Sequence, residues 1–193
     1  MATTFNDLVD LVYTITNRPD LVAETEYAIR VATLKAHNSD EYIPDKVVAL
    51  VTPVAAAETS TFEIDTTAAP FVRFRKELAV TNYPITQTYD LLDVTEVFDA
   101  YGYLNYNSYY RVGTSITIRA LAAEQARVVY LQRPDVTTAT YSSWIADTFP
   151  DMVAQGAASI IFDTTGKKDE QQRFNMLFLQ GVRELQADYI ERY

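Results

Sequence analysis

The sequence predicts an α+β protein: a helical bundle of N-terminal helices with C-terminal helices, carrying an inserted small antiparallel β module. Three observations predict it. Both ends of the chain repeat apolar residues at helical spacing. The stretch from Lys46 to Thr140 instead breaks into short β-branched or aromatic runs. Pro residues and polar clusters punctuate those runs. The expected division is a helical domain of residues 1–45 plus 141–193 and an inserted β domain of residues 46–140.

The first helix begins at Thr4, a good N-cap with Asp7 three positions on, and its apolar set is Leu8, Leu11, Val12 and Ile15. Thr16-Asn17-Arg18-Pro19-Asp20 stops it and starts the next. Thr16 or Asn17 can cap, and Pro19 is tolerated in a first turn whose amides lack intrahelical partners. From Leu21 the second helix places Thr25, Ala28, Ile29, Ala32 and Ala36 on one face. That stripe is small, which permits close helix packing. Asn38-Ser39-Asp40 and Pro44 end it.

Beyond Lys46 the rhythm changes. Strands are expected at Val47–Val51, Thr61–Ile64, Phe71–Arg75 and Leu78–Val80, the third breaking strict alternation. Asp93–Ala100 reads as a helical turn or a loop. The run Tyr101–Tyr110 follows, in which five of ten residues are tyrosine. Arg111–Arg119 predicts a hairpin turning at Gly113-Thr114, and Arg127–Leu131 a last strand closed by Pro134.

The last third is helical again. Ser142 or Ser143 caps a turn holding Trp144 and Ile145. After Pro150 come Met152, Val153, Gly156, Ala157, Ile160 and Ile161 at helical spacing, ended by Gly166. Asp169 and Glu170 suit the start of a final helix, with Phe174, Leu177, Phe178, Gly181, Val182, Leu185 and Tyr189 along one face.

Composition narrows the chemistry. Hydrophobic residues at 48% support a real core, and the lack of cysteine excludes disulfides and thiolate metal sites. No basic-then-apolar leader opens the chain, and no run approaches the roughly 20 apolar residues of a membrane span, so a soluble protein is expected. Net charge is −10. Split at Asp45 and Thr140 the segments carry −5, −2 and −3, so the helical ends hold most of the excess acid. Only Arg73, Arg75 and Lys76 cluster as bases, too few for a firm grip on phosphates.

A catalytic centre is not expected. His37 is the only histidine, and its place near a helix C-terminus suits a structural role. The five glycines are scattered, and Gly166-Lys167-Lys168 lacks the rest of a phosphate loop. Asp90, Asp93, Glu96 and Asp99 lie near Tyr89, Phe98 and Tyr101, so a carbohydrate-acting enzyme or sugar-binding module stays open; a solvated acidic loop is the plainer reading. The tyrosine run reads as cross-strand packing, an interface or a stacking platform. No cofactor or metal is expected.

Three motifs in order carry a resemblance. The first is Thr16-Asn17-Arg18-Pro19-Asp20-Leu21 with Ala28–His37. The second is Tyr109-Tyr110-Arg111-Val112-Gly113 with Ile116–Arg119. The third is Trp144-Ile145-Ala146-Asp147 before Pro150, then Ala157–Phe162, Gly166 and a long final helix. This order is similar to the head-to-tail adaptors of tailed bacteriophages, the tail tubular protein A or gatekeeper-like connectors. The resemblance implies a virion protein of the neck, assembled in the host cytoplasm. It would form a homo-oligomeric ring, a dodecamer, between a portal protein and a downstream tail component. DNA would pass through the ring without sequence-specific binding. Another phage ring, a tail terminator or head-completion protein, is the neighbouring alternative. Tyr189, Ile190 and Tyr193 are the candidate portal contacts, and Tyr103, Tyr106 and Tyr109 the candidate tail or subunit contacts.

Overall fold

The computed structural model describes residues 3–56, 60–84, 88–91, 107–122 and 125–189. The chain forms two compact units, Met1–Asp45 with Arg133–Tyr193, and Lys46–Gln132.

In the first unit, α1 spans Phe5–Thr16 and α2 Val22–Asn38. Thr4 and Asp7 close a capping box: the Asp7 amide donates to Thr4 Oγ1 at 3.2 Å, and the Thr4 amide donates to Asp7 Oδ2 at 2.8 Å. Asn17 ends α1 in the left-handed region at φ 52°, its amide donating to the Tyr13 carbonyl. The start of α2 departs from expectation. Leu21 is its N-cap and makes no side-chain cap bond, so Arg18-Pro19-Asp20 is connection rather than first turn.

After the second unit the chain returns through α3 (Trp144–Thr148), α4 (Pro150–Thr164) and α5 (Lys168–Tyr189). Residues 133–140 belong with these helices. Phe5, Leu8, Ile29, Met152, Ile161 and Leu185 are among the side chains of this unit's core. Burial of each such side chain contributes about 1.5–3 kcal/mol. The small stripe of α2 does its expected work. A Cβ on Gly156 of α4 would stand 2.7 Å from Phe178 and 3.2 Å from the Ala32 Cβ, so three helices meet around a residue with no side chain.

The second unit holds β1 (Lys46–Val51), β2 (Val54–Ala55), β3 (Thr61–Asp65), β4 (Phe74–Asn82), β5 (Thr88–Leu91), β6 (Ser108–Val112), β7 (Ser115–Arg119) and β8 (Ala126–Gln132). They form one sheet in the order β1-β8-β4-β5-β6-β7-β3-β2. Ile64, Val80, Tyr109, Ile116, Val128 and Tyr130 anchor its own core. Rings of Phe71, Phe74 and Tyr130 pack at 5.3–5.6 Å between centroids.

This sheet overturns the expected fold class. Its eight strands, curled into a half-barrel, make a core of their own and are not a small antiparallel module carried by a helical bundle. The sheet is also mixed, because β5 and β6 run parallel, with Asp90 opposite Ser108 and Leu91 opposite Tyr109. Two parallel neighbours need a long crossover, and the chain between Leu91 and Ser108 supplies the length. Bulges between Phe74 and Lys76 and between Glu77 and Ala79 break the two-residue period of β4. One nine-residue strand therefore reads in the sequence as two short ones.

The sheet has a further peculiarity. Among the described residues its two edge strands are β1 and β2, which are consecutive in the chain with only Thr52 and Pro53 between them.

Candidate functional site

The densest polar chemistry in the first unit is built from three distant pieces of chain. His37 comes from the last turn of α2, whose face of Ala28, Ile29, Ala32 and Ala36 is buried. Asp45 ends a 3-10 turn, Ile43–Asp45, with Pro44 at its centre. Ser143 is the N-cap of α3.

The geometry is tight. His37 Nδ1 lies 2.9 and 3.0 Å from the two Asp45 oxygens, and His37 Nε2 lies 2.9 Å from Ser143 Oγ. Trp144 Nε1 donates to Asp45 Oδ1 at 2.7 Å. The Trp144 ring meets His37 and Tyr42 edge-on at 5.7 and 5.6 Å, and the Tyr189 ring lies tilted on it at 4.9 Å. His37, Asp45 and Ser143 are 2%, 5% and 3% exposed.

Serine to imidazole to carboxylate is the connectivity of a nucleophilic triad. Two features set this array apart from one. Ser143 Oγ accepts the Ala146 amide at 3.1 Å, so one of its lone pairs holds a helix end in place. A triad also needs room for a reacting carbon about 3 Å from the nucleophile. At 3% exposure Ser143 offers none to a substrate from solvent. What the array does chemically is satisfy a buried carboxylate with two ring N–H donors, those of His37 and Trp144. Removing the carboxylate from such a buried array, which strands its donors, costs about 3–5 kcal/mol.

A hydroxyl nearby belongs to the same environment. Tyr141 pairs with Thr33 Oγ1 at 2.8 Å, and because Thr33 donates to the Ile29 carbonyl, the tyrosine is the donor. Burial pushes its hydroxyl above the ordinary tyrosine value, partly offset by its hydrogen bonding with Thr33 and Ser143.

A groove of about 310 Å³ opens elsewhere in this unit, where the start of α4 meets α5. Phe149, Met152 and Leu177 give it an apolar floor. Asp151, Gln180 and Glu184 stand on its rim. A Cβ on Gly181 would come within 2.6 Å of Met152 Cγ, so this glycine lets α5 approach the floor.

The residues singled out in the sequence are distributed as follows. Tyr189 is half-buried, its ring on Trp144 and, at 6.4 Å, on Phe149. Ile190 and Tyr193 lie outside the described residues, as do Tyr103 and Tyr106. Tyr109 is 4% exposed in the core of the sheet, opposite Ile118. Its hydroxyl is pushed up by burial and then by the Glu77 charge. Of the acidic segment, Asp90 is exposed on β5, and Asp93, Glu96 and Asp99 lie outside the described residues.

Sequence reasoning placed His37 near a helix C-terminus and offered Ser142 or Ser143 as a cap, of which Ser143 is the one; it missed Asp45 and the connection among the three. Ser143 lies 106 positions from its histidine, so no spacing rule could pair them. The one readable signal was a proline-limited aspartate closing the connection after α2. No protein-family model matches this chain, and no curated protein matches it significantly.

Proposed function

We propose that this chain is a structural ring protein of a tailed-phage neck, joining the portal to the tail and continuing the DNA channel. The observation that supports the reading best is apolar surface arranged in stripes on both units. Met176 and Leu179 of α5 are 64% and 46% exposed and three residues apart, so they share a helix face. Val48 and Leu50 of β1 are 50% and 48% exposed and two apart, so they share a sheet face. Scattered apolar residues are ordinary on a surface, but paired ones on a regular face suit association with another protein surface.

The charge agrees with a conduit. A net charge of −10 repels the DNA backbone, so a ring of such chains guides the duplex without holding it. The unit carrying Tyr189, Ile190 and Tyr193 would meet the portal, and the sheet unit the tail. Since Tyr109 packs inside the sheet, the tail or subunit contact in the tyrosine run rests on Tyr103 and Tyr106.

Electron microscopy of the purified chain mixed with the portal ring of the same phage tests the reading. Closed rings stacked coaxially on the portal are the expected result. A chain that stays monomeric and never attaches to the portal would sink it.

A further inference from the structure

The groove at the start of α4 has a polar rim of Thr148, Asp151, Gln155, Gln180 and Glu184, and its only charged groups are the two carboxylates. Thr148 Oγ1 donates its only proton to the Trp144 carbonyl at 2.9 Å, leaving lone pairs free. Gln180 Nε2 donates one proton to Glu184 Oε1 at 3.1 Å, which leaves its other proton, its amide oxygen and the second carboxylate oxygen of Glu184. Among the described residues no hydrogen bond or ion pair engages Asp151. No basic residue lines the groove. Pro150, at the first position of α4, has no amide hydrogen to offer.

Two carboxylates with no base among the lining favour a cationic ligand that donates several hydrogen bonds. Below the rim, Phe149, Met152 and Leu177 want an apolar stem or a flat face. An arginine side chain has both parts. Its guanidinium carries five donors and no acceptor, pairs with carboxylates in a fork, and stacks on aromatic rings. A volume of about 310 Å³ is at the small end of ligand sites, suited to one side chain and not to an extended ligand.

We infer that this groove receives an arginine side chain presented by a partner protein, held by Asp151 and Glu184 above an apolar floor. The positive end of α4 opposes a cation here, and the two carboxylates outweigh it. The inference stands apart from the neck reading, since a ring can form whether or not the groove is filled.

The chain has three methionines, and Met152 lies in the groove floor while Met176 is outside it. Carbon-13 methyl spectra of the full chain, titrated with acetyl-Gly-Arg-Gly-amide, therefore report on the site. The expected result is a saturable shift of the Met152 methyl with little movement of Met176. The glutamine peptide, acetyl-Gly-Gln-Gly-amide, should give none. The double variant Asp151→Asn, Glu184→Gln should weaken binding about tenfold or more, with a matching loss on raising salt. Should the double variant not fold, Glu184→Gln alone carries the test, because Glu184 is exposed. Absence of a saturable Met152 shift overturns the inference. So does equal binding of the glutamine peptide, or binding that the variants leave unchanged. Equal binding of a lysine peptide overturns the assignment to arginine.

Discussion

Ser143 Oγ lies 2.9 Å from His37 Nε2 while accepting the amide that starts α3, so one hydroxyl both closes a buried polar array and begins a helix. Those two duties rank the members of the array by what their loss leaves behind.

Asp45→Ala leaves the His37 and Trp144 donors without their shared acceptor. It is expected to lose about 3–5 kcal/mol of stability. Ser143→Ala removes a cap and one hydrogen bond and is expected to lose about 1–2 kcal/mol. Urea unfolding curves give the order directly, and equal losses would contradict this account of the array. Covalent labelling of Ser143 by a fluorophosphonate would contradict it differently, by showing an accessible and activated nucleophile.

Trp144 is the only tryptophan, and its Nε1 donates to Asp45. Its fluorescence therefore reports on the array and on the rings packed against the indole. Asp45→Asn, which keeps the shape and removes the charge, should shift the emission maximum without moving the far-ultraviolet dichroism. Tyr189→Ala should shift it as well, because the Tyr189 ring sits 4.9 Å from the indole. If Tyr189→Ala leaves the emission unchanged, the end of α5 does not pack on Trp144 in solution.

Gly156→Ala and Gly166→Ala should both destabilise, for unrelated reasons. At Gly156 the added methyl meets Phe178 at 2.7 Å, an overpacking expected to cost about 1–3 kcal/mol, less the helix preference of alanine. At Gly166 there is open space but φ is +76°, so the cost is backbone strain of about 1 kcal/mol. Truncating Phe178 to leucine should relieve the first and leave the second untouched. A double-mutant cycle measures the difference.

Stability should respond to pH at both extremes. The Asp7 carboxyl is held below the ordinary aspartate value by the Thr4 hydroxyl and then by the Thr4 amide. A depressed folded value gives stability that is present above about pH 3.8 and lost as pH falls through the folded value. Asp7→Asn should remove that part of the acid slope. Tyr109 and Tyr141 are raised by burial above 10.0. Their contribution is fully present below pH 10.0 and is lost as pH rises through the folded values. Tyr109→Phe should flatten the alkaline limb in tyrosinate titrations that are followed with unfolding. An unchanged limb would mean that Tyr109 ionises as readily in the folded chain as in the unfolded one.

Local signals were legible where one short stretch of chain carries them whole. Thr4 with Asp7, the apolar period of α1 and α4, and the two-residue turn at Gly113-Thr114 all appear as read. The fold class was not legible, because it depends on partners far apart in sequence. The bulges hid the length of β4, the parallel pairing of β5 with β6 needs a crossover that no alternation reveals, and β2 is two residues long. The array was hidden for the same reason: Asp45 looks like any residue of a connecting turn until Ser143 is folded beside His37.

One consequence follows from the order of the strands. Open sheet edges are where a β protein risks unwanted polymerisation, and most sheets expose two edges coded by unrelated stretches of sequence. Here residues 46–55 supply both, so the tendency to stick or stay apart is written in ten consecutive positions. Lys46 stands at one end of them, and Pro53, which lacks a donor, interrupts the other. Colloidal behaviour and sheet geometry are thus under the control of a single short segment, and selection on one is selection on the other.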